Sequence, residues 1–341
     1  MTEPLLSVRD LVVEFPTRRG TLRALDRVSF DIEEGEVLGM VGESGAGKSI
    51  TGAAIIGLIE PPGRIAGGEI WLRGERIDTL PPERMRRIRG KRIGMVFQDP
   101  LTSLNPLFTV AEQIIETIRT HLDMGEREAR ERAIALLDQV GIPAARRRID
   151  DYPHHFSGGM RQRVVIALAL AAEPELVIAD EPTTALDVSV QAQIIDVLKE
   201  MCASRGASVL LITHDMGVIA ETADRVAVLY AGRMAEIGHV QGVIQNAEHP
   251  YTRGLMGSIP TLTQSADRLV QIPGAMPRLN AIPDGCAFNP RCPQVFNRCR
   301  VERPELLDRG NGRRVACWLY DEAGVSGPGE TAGERTGSQD G

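Results

Sequence analysis

The sequence lacks any apolar run long enough to cross a membrane. Its longest such run, Val164–Ala172, is far shorter than the roughly 20 residues that a membrane-spanning helix needs. The N-terminal residues mix charged with apolar side chains and contain no hydrophobic stretch of the kind found in a secretory signal peptide. We therefore expect a cytoplasmic protein, and docking onto a membrane partner stays open.

The chain also lacks a surplus of positive charge. Its 341 residues carry a formal net charge of -7, and its 43% apolar and 25% charged residues are typical of a soluble globular protein. A general nucleic-acid binder normally carries a basic stripe, so nucleic acid is not an expected partner. We interpret the basic runs Arg84–Arg92 and Arg146–Arg148 as solvated helix faces.

Cysteine is scarce, and disulfides are not expected in a cytosolic chain. Four of the five cysteines nevertheless fall within one short C-terminal stretch, at Cys286, Cys292, Cys299 and Cys317. Chemically, four thiolates suit either an iron–sulfur cluster or structural zinc. Their spacing does not match the Cys-x₂₋₄-Cys knuckle typical of zinc, and four unliganded thiols are the third alternative. Cys202 lies in a helical pattern and is interpreted as a core residue.

The order of the predicted elements indicates an α/β fold. Residues 6–32 alternate apolar and polar side chains in short runs, which predicts antiparallel strands. Apolar strands then recur at 37–41, 176–179 and 209–213 with helical segments between them. Such alternation predicts a parallel sheet covered on both faces. After about residue 242 periodicity weakens and proline, glycine and cysteine dominate.

A phosphate-binding loop follows the strand at 37–41. Residues 42–49 match the pattern G-x-x-x-x-G-K-S without a mismatch, and its members are Gly42, Glu43, Ser44, Gly45, Ala46, Gly47, Lys48 and Ser49. Glycines let backbone N–H groups turn toward phosphate oxygens, and the helix that starts here adds partial positive charge. In such loops the lysine reaches the β- and γ-phosphates and the hydroxyl binds Mg²⁺.

Two carboxylates narrow the class of nucleotide enzyme. The apolar strand 176–179 ends in Asp180 and Glu181, so the first can hold Mg²⁺ and the second can polarise an attacking water. No Asn-Lys-x-Asp sequence occurs in the chain, which counts against a GTPase. These features together predict a magnesium-dependent P-loop nucleotide enzyme, with kinases and ATPases both open at this point.

Further motifs carry a resemblance to the ATP-binding subunits of ABC transporters. Phe156 is followed by Ser157, Gly158 and Gly159, which resembles the family's signature sequence. Gln98 resembles the glutamine that contacts Mg²⁺ and senses the membrane partner. Ala185-Leu186-Asp187 resembles the family's loop that contacts the second subunit, and His214 resembles its switch histidine. Phe15 resembles the aromatic residue that stacks on adenine.

The resemblance implies a P-loop ABC ATPase fold with a RecA-like parallel sheet core. It assigns residues 5–242 to the nucleotide-binding domain, with an N-terminal antiparallel β subdomain and a helical subdomain at about 99–165. Residues 243–320 would form a small irregular, cysteine-rich C-terminal region, and 321–341 a disordered tail. It also implies that ATP lies between the phosphate loop of one subunit and the signature sequence of another.

Longer stretches resemble the D-type ATP-binding subunit of dipeptide and oligopeptide importers. They include residues 97–106, 152–155, 180–188 and 249–252, and the four C-terminal cysteines, which in that subfamily can ligate a [4Fe-4S] cluster. This likeness implies a heterodimer with a homologous ATPase, two transmembrane permease subunits and an extracytoplasmic peptide-binding protein. The expected location is the cytoplasmic face of the bacterial inner membrane.

Two other functions stay open at this stage. The same type of importer could carry nickel, glutathione or oligosaccharides, because specificity resides in other subunits. An ABC ATPase of translation or DNA repair is disfavoured, since such proteins usually contain two modules, long coiled coils or zinc modules. This chain has a single module, no heptad run and an acidic balance.

Overall fold

The computed structural model describes residues 3–183, 187–257 and 272–321, without the side chains of residues 188 and 189. The strands, in chain order, are β1 (Leu6–Thr17), β2 (Gly20–Ile32), β3 (Val37–Val41), β4 (Arg64–Leu72), β5 (Glu75–Arg76), β6 (Ile93–Val96), β7 (Leu176–Asp180), β8 (Ser208–Ile212), β9 (Arg225–Tyr230), β10 (Arg233–His239), β11 (Leu307–Asp308) and β12 (Arg314–Val315).

The helices lie mostly between these strands. They are α1 (Lys48–Ile55), α2 (Pro82–Ile88), α3 (Pro100–Ser103), α4 (Val110–His121), α5 (Glu126–Gln139), α6 (Ala145–Arg148), α7 (Gly158–Ala169), α8 (Val188–Ala203), α9 (Met216–Thr222), α10 (Val240–Gln245), α11 (Pro250–Gly257) and α12 (Asn297–Val301). None of the helices in the described parts of the chain is long and apolar enough to cross a bilayer.

A central sheet positions the functional residues. Its strand order is β11-β12-β10-β9-β3-β8-β7-β6, and the strands from β9 to β6 run parallel. Alternate residues of β7 face opposite sides, so that Ile178 and Ala179 belong to two different core clusters. Burial on both faces confirms the predicted parallel sheet and explains why its strands have continuous apolar sequences. The carboxyl ends of β3, β7 and β8 therefore meet at one edge.

A second, antiparallel sheet packs beside the first. Its order is β2-β1-β4-β5, with Leu6 of β1 opposite Ile32 of β2 and Leu72 of β4. The inward side chains of these strands share one apolar cluster with the side chains on one face of the central sheet. This sheet is the predicted N-terminal antiparallel subdomain.

Helices α3 to α7 form the helical part of the molecule. Helix α4 begins with a capping box, in which the Thr109 side chain accepts the N–H of Glu112 and the Glu112 carboxylate accepts the N–H of Thr109. The buried faces of α4 and α5 pack on α7. These helices lie within the helical subdomain expected at about residues 99–165.

The C-terminal region is joined to the central sheet. Strand β12 pairs with β10, with Glu236 opposite Val315, and β11 extends the sheet by one more short strand. The predicted boundary after residue 242 lies within α10. The weak periodicity beyond that point hid these elements, because two-residue strands are too short to show a pattern.

A buried glutamate holds this junction together. The Glu236 side chain is fully buried and accepts the backbone N–H groups of Glu248 and His249, each at 3.0 Å. It also forms an ion pair with Arg313. His249 is itself buried, and its Nδ1 accepts the N–H of Tyr251 at 3.0 Å. Burial lowers the pKa of His249 from 6.5 to about 4.

The buried histidine predicts an acid-sensitive fold. Between pH 6.5 and about 4 the unfolded chain binds a proton at His249 that the folded chain does not, so the free energy of unfolding falls as pH falls through this window. We expect His249→Asn to weaken this pH dependence, because asparagine does not titrate. The asparagine oxygen can still accept the Tyr251 N–H, so the local hydrogen bond is kept. Urea unfolding of the full chain at several pH values measures it.

His239→Asn is the matched control, since His239 is exposed. Its unfolding free energy should follow the pH dependence of the wild type. Equal pH dependence in the His249→Asn variant and the wild type would contradict the interpretation.

Candidate functional site

The loop between β3 and α1 has a backbone that only glycine fits at two positions. Gly42 and Gly47 have φ angles of 153° and 106°. A Cβ atom at Gly42 would lie 2.3 Å from the carbonyl oxygen of Leu229, and one at Gly47 would lie 2.7 Å from Cδ2 of Leu25. The glycines therefore allow the loop to curl tightly against β9 and β2 before α1 begins at Lys48.

Lys48 lies inside this loop. Its Nζ donates to the carbonyl oxygens of Gly42 at 2.8 Å and Glu43 at 3.2 Å, and Glu181 Oε1 lies 3.9 Å away. Only 4% of Lys48 is exposed, and burial lowers the pKa of its ammonium group while the carboxylates of Glu181 and Asp180 oppose that shift. The loop thus presents one buried cation to an incoming anion.

Two oxygen ligands lie together beside the lysine. The Ser49 hydroxyl donates to Asp180 Oδ1 at 2.9 Å. Asp180 ends β7 and is buried, and burial raises the pKa of its carboxyl group while the hydrogen bond from Ser49 lowers it. A hydroxyl next to a carboxylate suits a hard cation such as Mg²⁺, which takes few protein ligands when it also binds phosphate. This donor set fits the magnesium ion expected from the sequence.

Glu181 connects two further predicted residues. Gln98 Nε2 donates to Glu181 Oε2 at 3.2 Å, and His214 Nδ1 lies 3.5 Å from the same oxygen. Glu181 has a φ angle of 45°, a left-handed conformation that is unusual for a residue other than glycine. Its backbone N–H donates to the carbonyl oxygen of Ile212 at 2.8 Å, which holds this turn against the end of β8.

Lys48, Ser49, Gln98, Glu181 and His214 line one cleft of about 810 Å³, and Asp180 adjoins it through its hydrogen bond with Ser49. The wall is formed by strands of the antiparallel sheet, by α1, by loops that follow strands of the central sheet and by the C-terminal region, namely Phe15, Ala24, Ser44, Gly45, Gly47, Lys48, Ser49, Ile50, Gln98, Glu181, His214 and Leu279. A volume of this order accommodates a ligand of nucleotide size. The structure therefore brings the predicted aromatic residue Phe15 into the same cleft as Lys48 and Glu181.

The signature residues lie elsewhere. Ser157 is the N-cap of α7, where its Oγ accepts the N–H of Met160 at 3.4 Å. Ser157 and Gly158 are exposed, and neither they nor Gly159 line the cleft that contains Lys48. Among the residues likened to the intersubunit loop, Ala185 and Leu186 lie outside the described residues. Asp187 is exposed at the start of α8.

The C-terminal region contributes residues to the site that sequence reasoning missed. Leu279 lines the cleft, and Met276 Cε would lie 3.1 Å from a Cβ placed on Gly45. The Tyr251 hydroxyl and the Arg291 guanidinium contact Glu43 of the loop. Tyr251 and Arg291 lie within or beside stretches that resemble the importer subunits. No spacing rule connects them to Glu43, which lies 208 positions before Tyr251 and 248 positions before Arg291.

The four C-terminal cysteines line one small cavity next to His249. Cys299 and Cys317 are buried, and Cys286 and Cys292 are half-buried. Burial raises the pKa of Cys286 to about 11 and that of Cys317 to about 12, so a bound cation would have to displace their protons.

Within the described ranges, no three His, Cys, Asp or Glu side chains are grouped closely enough to hold a metal ion. The expected [4Fe-4S] cluster, with zinc as its alternative, therefore stays a prediction. Cys202 is buried in α8, as expected for a core residue.

Comparison with solved structures places this site in a known fold. A dimeric structure of the ATP-binding cassette MJ0796, in a post-hydrolysis state bound to ADP and Pi, is 29% identical with a TM-score of 0.62 and covers 69% of this chain and 98% of its own. CbiO1 from Clostridium perfringens, part of the ABC transporter complex cbiONQ, is 29% identical with a TM-score of 0.61. The match covers 72% of this chain and 92% of the CbiO1 chain.

Comparison of sequences extends the likeness over nearly the whole chain. The family model "ABC transporter" matches residues 25–184, and "Oligopeptide/dipeptide transporter, C-terminal region" matches residues 235–299. The oligopeptide transport ATP-binding protein AppD of Bacillus subtilis is 45% identical over 94% of this chain and 98% of its own length. The dipeptide transport ATP-binding protein DppD of B. subtilis is 47% identical over 94% of this chain and 96% of its own length. DppD of Escherichia coli is 45% identical over 94% of this chain and 98% of its own length. The chain belongs to the ATP-binding subunits of the oligopeptide and dipeptide ABC transporter family.

Proposed function

We propose that this chain hydrolyses ATP to power the import of dipeptides and oligopeptides through an ABC transporter. The proposal rests on the convergence of Lys48, Ser49, Glu181 and His214 on one cleft at the carboxyl edge of the central sheet, where Asp180 is hydrogen-bonded to Ser49. The peptide cargo is inferred from the names of relatives that match over nearly their full length.

Each part of the cleft has a proposed role toward ATP. Backbone N–H groups of residues 42–49 and the Lys48 ammonium would bind the phosphates, and Phe15 would stack on the adenine. Ser49, Asp180 and Gln98 would hold Mg²⁺, which neutralises charge on the β- and γ-phosphates when it is bound.

Glu181 is the proposed general base. It would accept a proton from the water that attacks the γ-phosphate, while Gln98 and His214 orient its carboxylate through the contacts at 3.2 Å and 3.5 Å. The histidine side chain is 66% exposed, so it can reach toward the γ-phosphate of bound ATP.

A complete ATP site would need a second subunit. Ser157, Gly158 and Gly159 lie away from the cleft of their own chain and are accessible at the start of a helix, where N–H groups favour an anion. The dimeric state of the MJ0796 cassette bound to ADP and Pi supports such pairing. We propose a homologous ATPase as the partner, so that ATP closes the interface and hydrolysis releases it.

The remaining partners follow from the proposed transport. Two transmembrane permease subunits would form the path for the peptide, and an extracytoplasmic peptide-binding protein would deliver it. The chain would then be peripheral, on the cytoplasmic face of the bacterial inner membrane. A pull-down that recovers ribosomes or DNA in place of membrane subunits would favour a non-transport ABC ATPase.

Replacing the proposed base tests the catalytic assignment. We expect Glu181→Gln to lower ATPase turnover in the purified complex by roughly 10²–10⁴-fold, because the amide cannot take the proton from water. ATP should still bind, since the phosphate loop is unchanged. Glu200→Gln, on an exposed part of α8, is the control and should keep wild-type turnover. Wild-type turnover of the Glu181 variant would exclude the assigned role.

A substitution in the signature tests the shared site. We expect Gly158→Asp to reduce ATPase turnover of the assembled complex by roughly 10²-fold, because a carboxylate facing the partner's phosphates is repulsive. The isolated variant should bind ATP with wild-type affinity, since Gly158 does not line its own cleft. An acidic residue in the first turn also suits the helix, so folding should persist. Weaker ATP binding by the isolated variant would contradict a site shared between subunits.

The cysteine-rich cavity is proposed to hold a [4Fe-4S] cluster, with zinc as the alternative. Four thiols line one cavity, and thiolates are ligands that either group takes. Binding would require them to move closer together than they lie in this structure. The group would link segments of a region that has little apolar core of its own.

Metal analysis after anaerobic purification distinguishes these possibilities. A brown protein that contains iron and acid-labile sulfide is the expected result, and Cys286→Ser should lose both. Cys202→Ser is the control, since Cys202 lies in the core away from this cavity. Stoichiometric zinc without iron would favour zinc, and protein without either metal would leave the thiols unliganded.

A further inference from the structure

The side chain of Glu43, in the phosphate loop, is held by the C-terminal region. Its two carboxylate oxygens accept hydrogen bonds from Arg291 Nη1 at 2.8 Å and Nη2 at 2.9 Å. The Arg291 side chain is only 6% exposed, whereas that of Glu43 is 28% exposed. A bidentate, largely buried pair of this kind has a defined geometry and is not an incidental surface contact.

The backbone of Glu43 is held from the same side. Its N–H donates to the Tyr251 hydroxyl at 2.8 Å. Tyr251 is fully buried, and its ring packs against Tyr230 at 4.6 Å and Phe288 at 5.4 Å between ring centres. The hydroxyl is therefore fixed in place by an aromatic cluster that joins β9 to the C-terminal region.

The third hydrogen-bonding group of Glu43 connects it to Lys48. Its carbonyl oxygen accepts the Lys48 ammonium at 3.2 Å. Arg291 and Tyr251 thus fix the side chain and the N–H of a residue whose carbonyl helps to hold the lysine that would bind phosphate. A shift of Glu43 would move this acceptor and change the opening of the loop.

Arg291 also organises the segment that covers the loop. It donates to the carbonyl oxygens of Pro273 at 2.9 Å and Ile272 at 3.3 Å. The chain then continues to Met276, which lies over Gly45, and to Leu279, which lines the cleft. Arg291 directly precedes Cys292, which lines the cysteine-lined cavity, while its own side chain contacts the phosphate loop.

We propose that Arg291 and Tyr251 are positioning residues that pre-organise the phosphate loop for ATP through Glu43. The proposal rests on the proposed ATPase function. It means that contacts made by the C-terminal region strengthen ATP binding. Loss of Arg291 also leaves the Glu43 carboxylate without its paired cation, so the remaining negative charge would oppose the phosphates.

The test compares Arg291→Gln and Tyr251→Phe with the wild-type full chain. We expect each variant to raise the Kd for Mg-ATP by about tenfold, within the usual range of coupling between two sites. In the assembled transporter the KM for ATP should rise likewise while kcat changes by less than about twofold, because Glu181 and the catalytic groups are untouched. Arg291→Lys should restore affinity only in part, since lysine cannot form the bidentate pair.

Arg298→Gln is the matched control. Arg298 also directly precedes a C-terminal cysteine, Cys299, and forms ion pairs with Glu302 and Asp321, but it does not contact the loop. We expect this variant to keep the wild-type Kd for Mg-ATP. Thermal unfolding of every variant separates loss of affinity from loss of folding. Tyr251→Phe keeps the aromatic packing and so remains informative if Arg291→Gln folds poorly.

A double variant tests the pairing itself. Glu43→Gln combined with Arg291→Gln should raise the Kd for Mg-ATP by less than the product of the two single fold-changes. Arg291→Gln leaves the Glu43 carboxylate unpaired, and Glu43→Gln removes that carboxylate. Unchanged Kd in both Arg291→Gln and Tyr251→Phe would overturn the inference. Failure of the wild-type chain to bind Mg-ATP would instead contradict the proposed ATPase function.

Discussion

The buried ammonium of Lys48 lies between carbonyl oxygens of its own loop and the carboxylate of Glu181 at the end of β7. Burying a cation is costly unless opposite charges and hydrogen-bond acceptors surround it. The loop must therefore curl so that its carbonyl groups point inward, and β7, which is separated from β3 by β8, must end at the same edge of the sheet with acidic residues. Both requirements depend on the order of the parallel strands in the central sheet.

The same charge balance prepares the site for its ligand. Asp180 is buried and accepts a hydrogen bond from the Ser49 hydroxyl. One carboxylate oxygen of Glu181 accepts a hydrogen bond from Gln98 and also lies close to His214 Nδ1. A magnesium ion and a triphosphate would add charges of both signs to this arrangement and exchange internal hydrogen bonds for contacts with the ligand. A preformed site of this kind needs little reorganisation during reaction, which is how electrostatic stabilisation is achieved in enzymes.

The C-terminal region depends on polar anchors because it has little apolar core of its own. Glu236 binds two backbone N–H groups and Arg313, and Glu43 binds Arg291. Buried pairs of this kind contribute specificity of arrangement, since removing one partner would leave an unpaired charge. They join the region to β10 on one side and to the phosphate loop on the other.

The sequence alone determined the phosphate loop, the acidic end of β7 and the parallel sheet, because each is specified by a short, contiguous pattern with a physical requirement. Gly42 and Gly47, for example, have φ angles that residues with a side chain rarely adopt. Only the tertiary structure decided which distant residues complete the site. Glu43 and Arg291 are separated by 248 positions, and no periodicity connects them. Their pairing arises because β12 joins β10 and carries the C-terminal region back over the loop, and such packing between distant segments leaves no local pattern to read.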